Sequence, residues 1–335
     1  MQVNPKELTP ITMQLKNLVS QTKLKKGVPL HIRRDGLHCF LTIKEETFQV
    51  TARVEDTFSK QDALTVDLLA FYRALSKHKK ESGIELDLAP LLLEQEDIEL
   101  DSMLGFRLAS EFSPESFSKL VNHSRFFSRT TFSDSSKQMH LQATKTTVIA
   151  HGTNFQSIGV TLLRNDNRFP YTVSVPANLG TKINELLKKN REKYVKLLLK
   201  EGEFGITIGP FFLQGFSMSS SVLDIKGLIR TFTKRQAGMS WRSAGLDLPF
   251  SEITQNADEE VLKINGHLMD RSFAKLAIVL PNLFYAKEED GFYYKEETDN
   301  DQIRCFGFLS EISEVQPFEK KTREESEDEE TFEEY

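Results

Sequence analysis

Lysine and arginine recur on one side of several helical stretches, and phosphate is the ligand such a pattern serves. At about 100° per residue, Arg73, Lys77 and Lys80 lie opposite the apolar stripe Leu68, Phe71, Tyr72 and Leu75. Around 115–129, Phe117, Leu120, Val121 and Phe127 form the apolar face, and Lys119, His123, Arg125 and Arg129 form the other. Around 178–193, Leu179, Ile183, Leu186 and Leu187 turn inward, with Lys182, Lys188 and Lys189 largely outward. No zinc finger or base-stacking signature accompanies these residues. The chemistry they predict is contact with a nucleic-acid backbone, without sequence readout.

Catalytic patterns are weaker. Gly202, Gly205 and Gly209 are spaced for turns and bulges within strands, not for a phosphate-cradling loop. The histidines at 31, 38, 78, 123, 140, 151 and 267 show no HExxH spacing. His38 and Cys39 are neighbours in a strand-like segment and so point to opposite faces. Asp97, Glu99 and Asp101 alternate, which reads as the wet side of a sheet before it reads as a metal-binding carboxylate row. The sequence predicts a non-enzyme with no cofactor and no metal.

The elements that position the basic residues form a repeat. The first copy opens with an amphipathic stretch, Ile11 to Lys23, after Thr9-Pro10 as cap and first-turn proline. Alternating segments Pro29–Arg33, Leu37–Ile43 and Phe48–Val54 follow, then a helix capped by Asp67. Ile84–Leu88, Ile98–Asp101 and Phe106–Leu108 read as its closing strands. The second copy runs from Pro114 through a helix at 115–129, strands at 140–143, 147–150, 157–163 and 171–175, a helix at 178–193, and strands at 195–199, 204–208 and 211–216. Beyond Ser219 the pattern loosens, with a helix at 223–234 and strands around 278–281, 291–295 and 303–309.

Length and composition agree with two or three domains: 335 residues, 39% hydrophobic and 27% charged. The longest apolar run, Leu88 to Leu93, is far below the ~20 residues of a membrane helix. Cys39 and Cys305 are too few for a disulfide framework, and Met1-Gln-Val-Asn-Pro-Lys has no signal pattern, so a soluble intracellular protein is expected. The net charge of -6 resides in Glu319–Tyr335, where nine acidic residues face three basic ones. The four helical stretches hold 14 basic and four acidic residues, so the remainder of 1–318 is correspondingly acidic.

This layout resembles the bacterial-type DNA sliding clamps, the DNA polymerase III beta-subunit family. The residues that carry the likeness are Thr172-Val-Ser-Val-Pro-Ala-Asn-Leu followed by Ile183-Asn-Glu-Leu-Leu-Lys-Lys, with Thr65-Val-Asp-Leu-Leu-Ala-Phe-Tyr-Arg-Ala-Leu at the equivalent place in the first copy. It covers roughly residues 10–218. Where that family has a threonine-aspartate-glycine-histidine-arginine segment, this chain has Ile149-Ala-His-Gly-Thr-Asn.

The resemblance implies an α+β fold of tandem helix-sheet-helix-sheet domains, antiparallel sheets outside and basic helices inside. The expected domains are 1–112, 113–218, a degenerate third domain or separate module at 219–318, and a disordered acidic tail at 319–335. It further implies a processivity factor that encircles duplex DNA as a homo-oligomeric ring in the cytoplasm, beside the nucleoid, and tethers a polymerase or repair enzyme. The alternative is an interaction or inhibitory module of the same fold that closes no ring. Carried over by position, client peptides dock at Phe211, Phe212, Leu213 and Phe216, with Ile278, Leu280 and Pro281. Phe332 and Tyr335 in the acidic tail are a solvated end, a partner-binding peptide or a competitor of DNA.

Overall fold

Capped helices and alternating strands divide the chain in the computed structural model, which describes residues 2–35, 37–55, 63–93, 100–128, 137–153, 157–190, 193–217, 224–243, 261–264, 267–270, 276, 280, 282–296 and 302–309. β1 (Gln2–Val3) leads into α1 (Pro5–Leu18), and Ser20 caps the short α2 (Gln21–Lys26). β2 (Pro29–Asp35), β3 (His38–Lys44), β4 (Phe48–Glu55) and β5 (Ala63–Asp67) follow. Asp67 ends β5 and caps α3 (Leu68–Lys77): its carboxylate accepts from Ala70 N at 2.7 Å and from Val28 N at 3.1 Å. β6 (Ile84–Glu85) comes next.

The second repeat comprises β7 (Arg107–Phe112), α4 (Pro114–Phe127) with Ser113 as cap, β8 (Gln138–Ala143), β9 (Thr147–Thr153), β10 (Ser157–Arg164) and β11 (Tyr171–Pro176). It continues with α5 (Leu179–Lys189), β12 (Val195–Lys200), β13 (Glu203–Ile208) and β14 (Phe211–Phe216). The remainder contributes α6 (Ile225–Arg235), β15 (Arg242–Ser243), the hairpin β16 (Val261–Ile264) and β17 (His267–Asp270), then β18 (Leu283–Glu288), β19 (Gly291–Glu296) and β20 (Ile303–Leu309).

Two eight-stranded antiparallel sheets result. The first is ordered β5-β2-β3-β4-β14-β13-β12-β7 and the second β11-β8-β9-β10-β20-β19-β18-β15. The first halves of the two repeats share one strand order, and Pro5–Asp67 and Pro114–Pro176 are both 63 residues long. Each first half is completed by closing strands from further along the chain. β4 pairs with β14, with Leu213 opposite Val50, and β10 pairs with β20 from Ser157↔Leu309 to Leu163↔Ile303.

Helices α1, α3, α4 and α5 share one core with both sheets. Leu15, Phe71, Leu120 and Ile183 are buried there beside Leu41, Val50, Val148, Leu197 and Leu213. Phe117, Leu120 and Ile183 meet Met139 and Val175 of the second sheet and Leu197 and Ile206 of the first around a small apolar void. The opposite, outer faces are covered differently. Residues 100–106 cross the first sheet, where Asp101 exchanges hydrogen bonds with Gln49 and pairs with Lys44 at 2.9 Å, and Phe106 packs edge-on against Phe212. The second sheet carries α6, which buries Ile225 and Phe232 against Ile149, Val160 and Phe306.

Several expectations are corrected. The first helix begins at Pro5, not Pro10, because burial of Pro5 and Leu8 rewards an extra turn that outweighs the hydrogen bond Pro10 cannot make. Of the closing strands read in the first repeat, Ile84–Glu85 is a strand, shorter than expected, and it pairs with β1. Asp97 and Glu99 lie outside the described residues, Leu100 and Asp101 are not in a strand, and Arg107–Leu108 belongs to the first strand of the second repeat. The acidic tail also lies outside the described residues.

Because Asp67 ties the entry of β2 to the start of α3, Asp67→Ala is expected to destabilise the fold by roughly 1–2 kcal/mol. Urea titration should show a lower midpoint at an unchanged slope. An unmoved midpoint would mean that water replaces the cap without loss.

Candidate nucleic-acid interface

The second helix of each of the first two repeats presents basic residues to solvent toward its end. On α3 and the turn after it, Arg73, Lys77 and Lys80 are exposed, and at the end of α5 so are Lys188 and Lys189. The amphipathic spacing dictates this: burial of Phe71 and Leu75 turns Arg73 and Lys77 outward, and burial of Ile183 and Leu186 does the same for Lys188 and Lys189. Lys77 and the Lys188–Lys189 pair also stand in last turns, where the helix dipole favours cations.

The first helix of the second repeat spends one charge inside the protein. Lys119 of α4 pairs at 2.5 Å with Glu296 of β19, whose side chain is 2% exposed. One turn on, His123 is fully buried, 2.7 Å from Thr161 Oγ1 and 2.8 Å from Tyr294 OH. Phe127 stacks on Tyr294 at 5.8 Å between ring centres. Burial, and secondarily the Lys119 charge, hold the His123 pKa down at about 3, while burial pushes the Cys305 thiol up to about 12. His123 is thus neutral and Cys305 an inert thiol, so this cluster is a rivet between α4 and the second sheet.

Lys182 is also committed. Its ammonium donates to the carbonyl of Leu18 and lies 4.9 Å over the Phe48 ring, and burial lowers its pKa. Arg125 is half-buried, its stem packed against Gly180 so closely that a Cβ there would meet Arg125 Cδ at 2.6 Å. Between α4 and α5 runs a neutral ladder: Ser118 donates to Asn184, Asn184 to Asn122, and Asn122 to Ser118. Arg129 lies outside the described residues. Of the nine basic residues expected to line one face, the structure exposes Arg73, Lys77, Lys80, Lys188 and Lys189.

The residues expected to bind client peptides separate as well. Phe211 and Leu213 are fully buried core residues, and so is Leu280, which packs with Phe127 and Leu283. Alternation along β14 turns Phe212 and Phe216 to the outer face, where Phe212 meets Phe106 and Phe216 is 58% exposed. Ile278 and Pro281 lie outside the described residues. A larger outer apolar surface, missed in the sequence, surrounds α6: Leu228, Ile229, Met239, Trp241 and Phe308 are half-buried around Phe232, Tyr293 and Phe306. The alternation of Phe306 and Phe308 and the helical spacing of Ile225, Leu228, Ile229 and Phe232 carried its signal, but not that this helix packs on that sheet.

Solved structures match this arrangement over almost its whole length. The DNA polymerase III beta subunit of Pseudomonas aeruginosa aligns with a TM-score of 0.71 over 93% of this chain and 99% of its own, at 12% identity. The DNA polymerase sliding clamp of Caulobacter crescentus gives 0.74 at 8% identity over 93% and 99%. The DNA polymerase III beta subunit of Thermotoga maritima gives 0.72 at 8% over 93% and 98%. The chain has the bacterial sliding-clamp fold. No family model matches the sequence, and no curated protein does either. The clamp fold of this chain has therefore kept its backbone pairing while its side chains diverged. Among the described residues no cluster of three metal-ligating side chains occurs, and no helix is long and apolar enough to cross a membrane.

The rivet makes stability depend on pH. His123 has a folded pKa of about 3, below the unfolded value near 6.5, so the unfolded chain protonates first and stability falls as pH drops through that window. From pH 6.5 to 5 this one group removes roughly 1–2 kcal/mol, the slope reaching about 1.4 kcal/mol per unit once the unfolded imidazole is fully protonated. His123→Gln should be less stable at pH 7 and lose less on acidification, as read by urea titration at pH 7, 6 and 5. An equal loss in both proteins would exclude His123 as a source of the acid sensitivity.

Proposed function

We propose that this protein is a non-enzymatic, clamp-type accessory factor. It holds duplex DNA by its phosphates on the helical side and presents the outer side of its sheets to a polymerase or repair enzyme. The observation that carries this reading is the exposed basic end of α3 and of α5, equivalent helices in two repeats of a fold otherwise found in DNA polymerase III beta subunits. Salt screens such contacts, so binding is sequence-independent and weakens as ions are added. The half-buried apolar side chains around α6, among them Leu228 and Trp241, are the surface for the client.

Charge reversal tests the DNA side. The triple variant Lys77→Glu, Lys80→Glu, Lys189→Glu should weaken binding to unrelated duplexes equally, and should flatten the log-affinity against log-salt slope by roughly 0.9 for each contact removed. Lys119→Gln, which breaks an internal ion pair, should lower thermal stability and leave the salt slope unchanged. Equal slopes for wild type and the triple variant would remove α3 and α5 from any DNA interface. On the outer side, Leu228→Glu should abolish stimulation of a client polymerase in primer extension while DNA affinity is retained; undiminished stimulation would move the docking site elsewhere.

A further inference from the structure

We infer that this chain does not close a ring with copies of itself, and that it holds DNA as an open arc one chain long. The first statement stands on strand pairing alone; the second rests also on the DNA-binding reading above.

Continuity between repeats follows one rule. The opening strands of a repeat end in a joining strand, β4 or β10, that pairs with the last closing strand of the following repeat, β14 or β20. Inside the chain this rule is used twice. Two half-sheets are then left over: the closing strands of the first repeat and the opening strands of the third. Head-to-tail copies would extend the same sheet only by pairing these two with each other.

Both halves of that joint are cut short. In the second repeat β7 pairs with β12, and β13 and the joining strand β14 follow; in the first, β1 pairs with β6 in the same way, and there the meander stops. The chain after β6 is used elsewhere. Leu92 bridges to Val66 and Leu93 N donates to Thr65 O at the edge of β5, and Asp101 is bonded to Gln49 across the outer face. Only residues 94–99 separate these described segments, too few for two further strands of the usual five or six residues and their turn. In the third repeat, the stretch between β15 and Leu276 that should hold a helix and four opening strands runs from 244 to 275, 32 residues against 63 in each of the other repeats. Its described strands are the four-residue pair β16 and β17, bonded only to each other. Among the described residues, the two half-sheets that would have to meet are the two that are reduced, which is the pattern expected where no joint is made.

Light scattering on the full chain after gel filtration should give a single 38.4 kDa species across a range of micromolar concentrations. A dimer or trimer mass overturns the inference. Retention on a nicked circular plasmid should then equal retention on the same plasmid linearised, a ratio of about one at matched salt, because an open arc leaves a duplex without needing an end. Retention at least tenfold greater on the circle would overturn the open arc and leave DNA binding standing. Binding to neither form would overturn the DNA-binding reading, and with it the arc on DNA, while the mass still decides ring closure.

Discussion

Antiparallel pairing between strands from different repeats is the constraint on which the rest of this structure depends. A half-sheet with a free joining edge exposes a row of unpaired amide and carbonyl groups, and pairing with the next repeat satisfies them. β4 with β14 and β10 with β20 do this, and each joint also aligns inward-facing residues, as where Leu213 meets Val50. Register then decides everything laid on the sheets. A slip of one residue at β14 would turn Phe211 and Leu213 outward and bring Phe212 and Gln214 into the core. The helices sit where they do because the inner faces of two joined sheets offer one continuous apolar surface.

On that surface the two helices of the second repeat do different work. α4 is held to the second sheet by Lys119–Glu296 and by His123 between Thr161 and Tyr294, a polar cluster in a low-dielectric setting where every unmet partner would be costly. The Lys119 cation is therefore unavailable to a ligand. α3 buries only Leu68, Phe71 and Leu75, and α5 only apolar residues beside the half-buried Lys182, so the lysines at their ends stay exposed to water. Exposed positive charge thus stands at the ends of α3 and α5, about which a screened field extends roughly 10 Å at 0.1 M salt.

Divergence has fallen on different parts of the fold to different degrees. Strand pairing tolerates almost any side chain that keeps its face, which is how a TM-score above 0.7 coexists with 8–12% identity. The described closing strands of the first repeat, the two-stranded pair β1 and β6, lie where no pairing with another repeat of the chain requires more. The outer face of the second sheet, by contrast, is occupied by α6 and ringed by aromatic and aliphatic side chains that a solvated sheet would not keep.

Local chemistry alone determined much of this protein. Alternation marked β3, β4, β10 and β20, Asp67 and the apolar stripe after it marked α3, and the matching layout of two stretches showed the repeat. Alternation cannot say which face is inward, and the positions carried over from the clamp resemblance as a client cleft include Phe211 and Leu213, which are core. Nor can helical spacing tell a lysine that faces water from one that faces Glu296, because that carboxylate arrives on a strand from the far end of the chain. The segments Ile84–Leu88 and Phe106–Leu108 have strand-like composition, but whether a segment becomes a strand depends on having an edge to pair with. In this chain the neighbouring edge goes to β1 for the first and to β12 for the second. Periodicity is a property of a segment and was legible in the sequence; pairing, facing and ion-pair choice are properties of two segments brought together, and only the tertiary structure decided them.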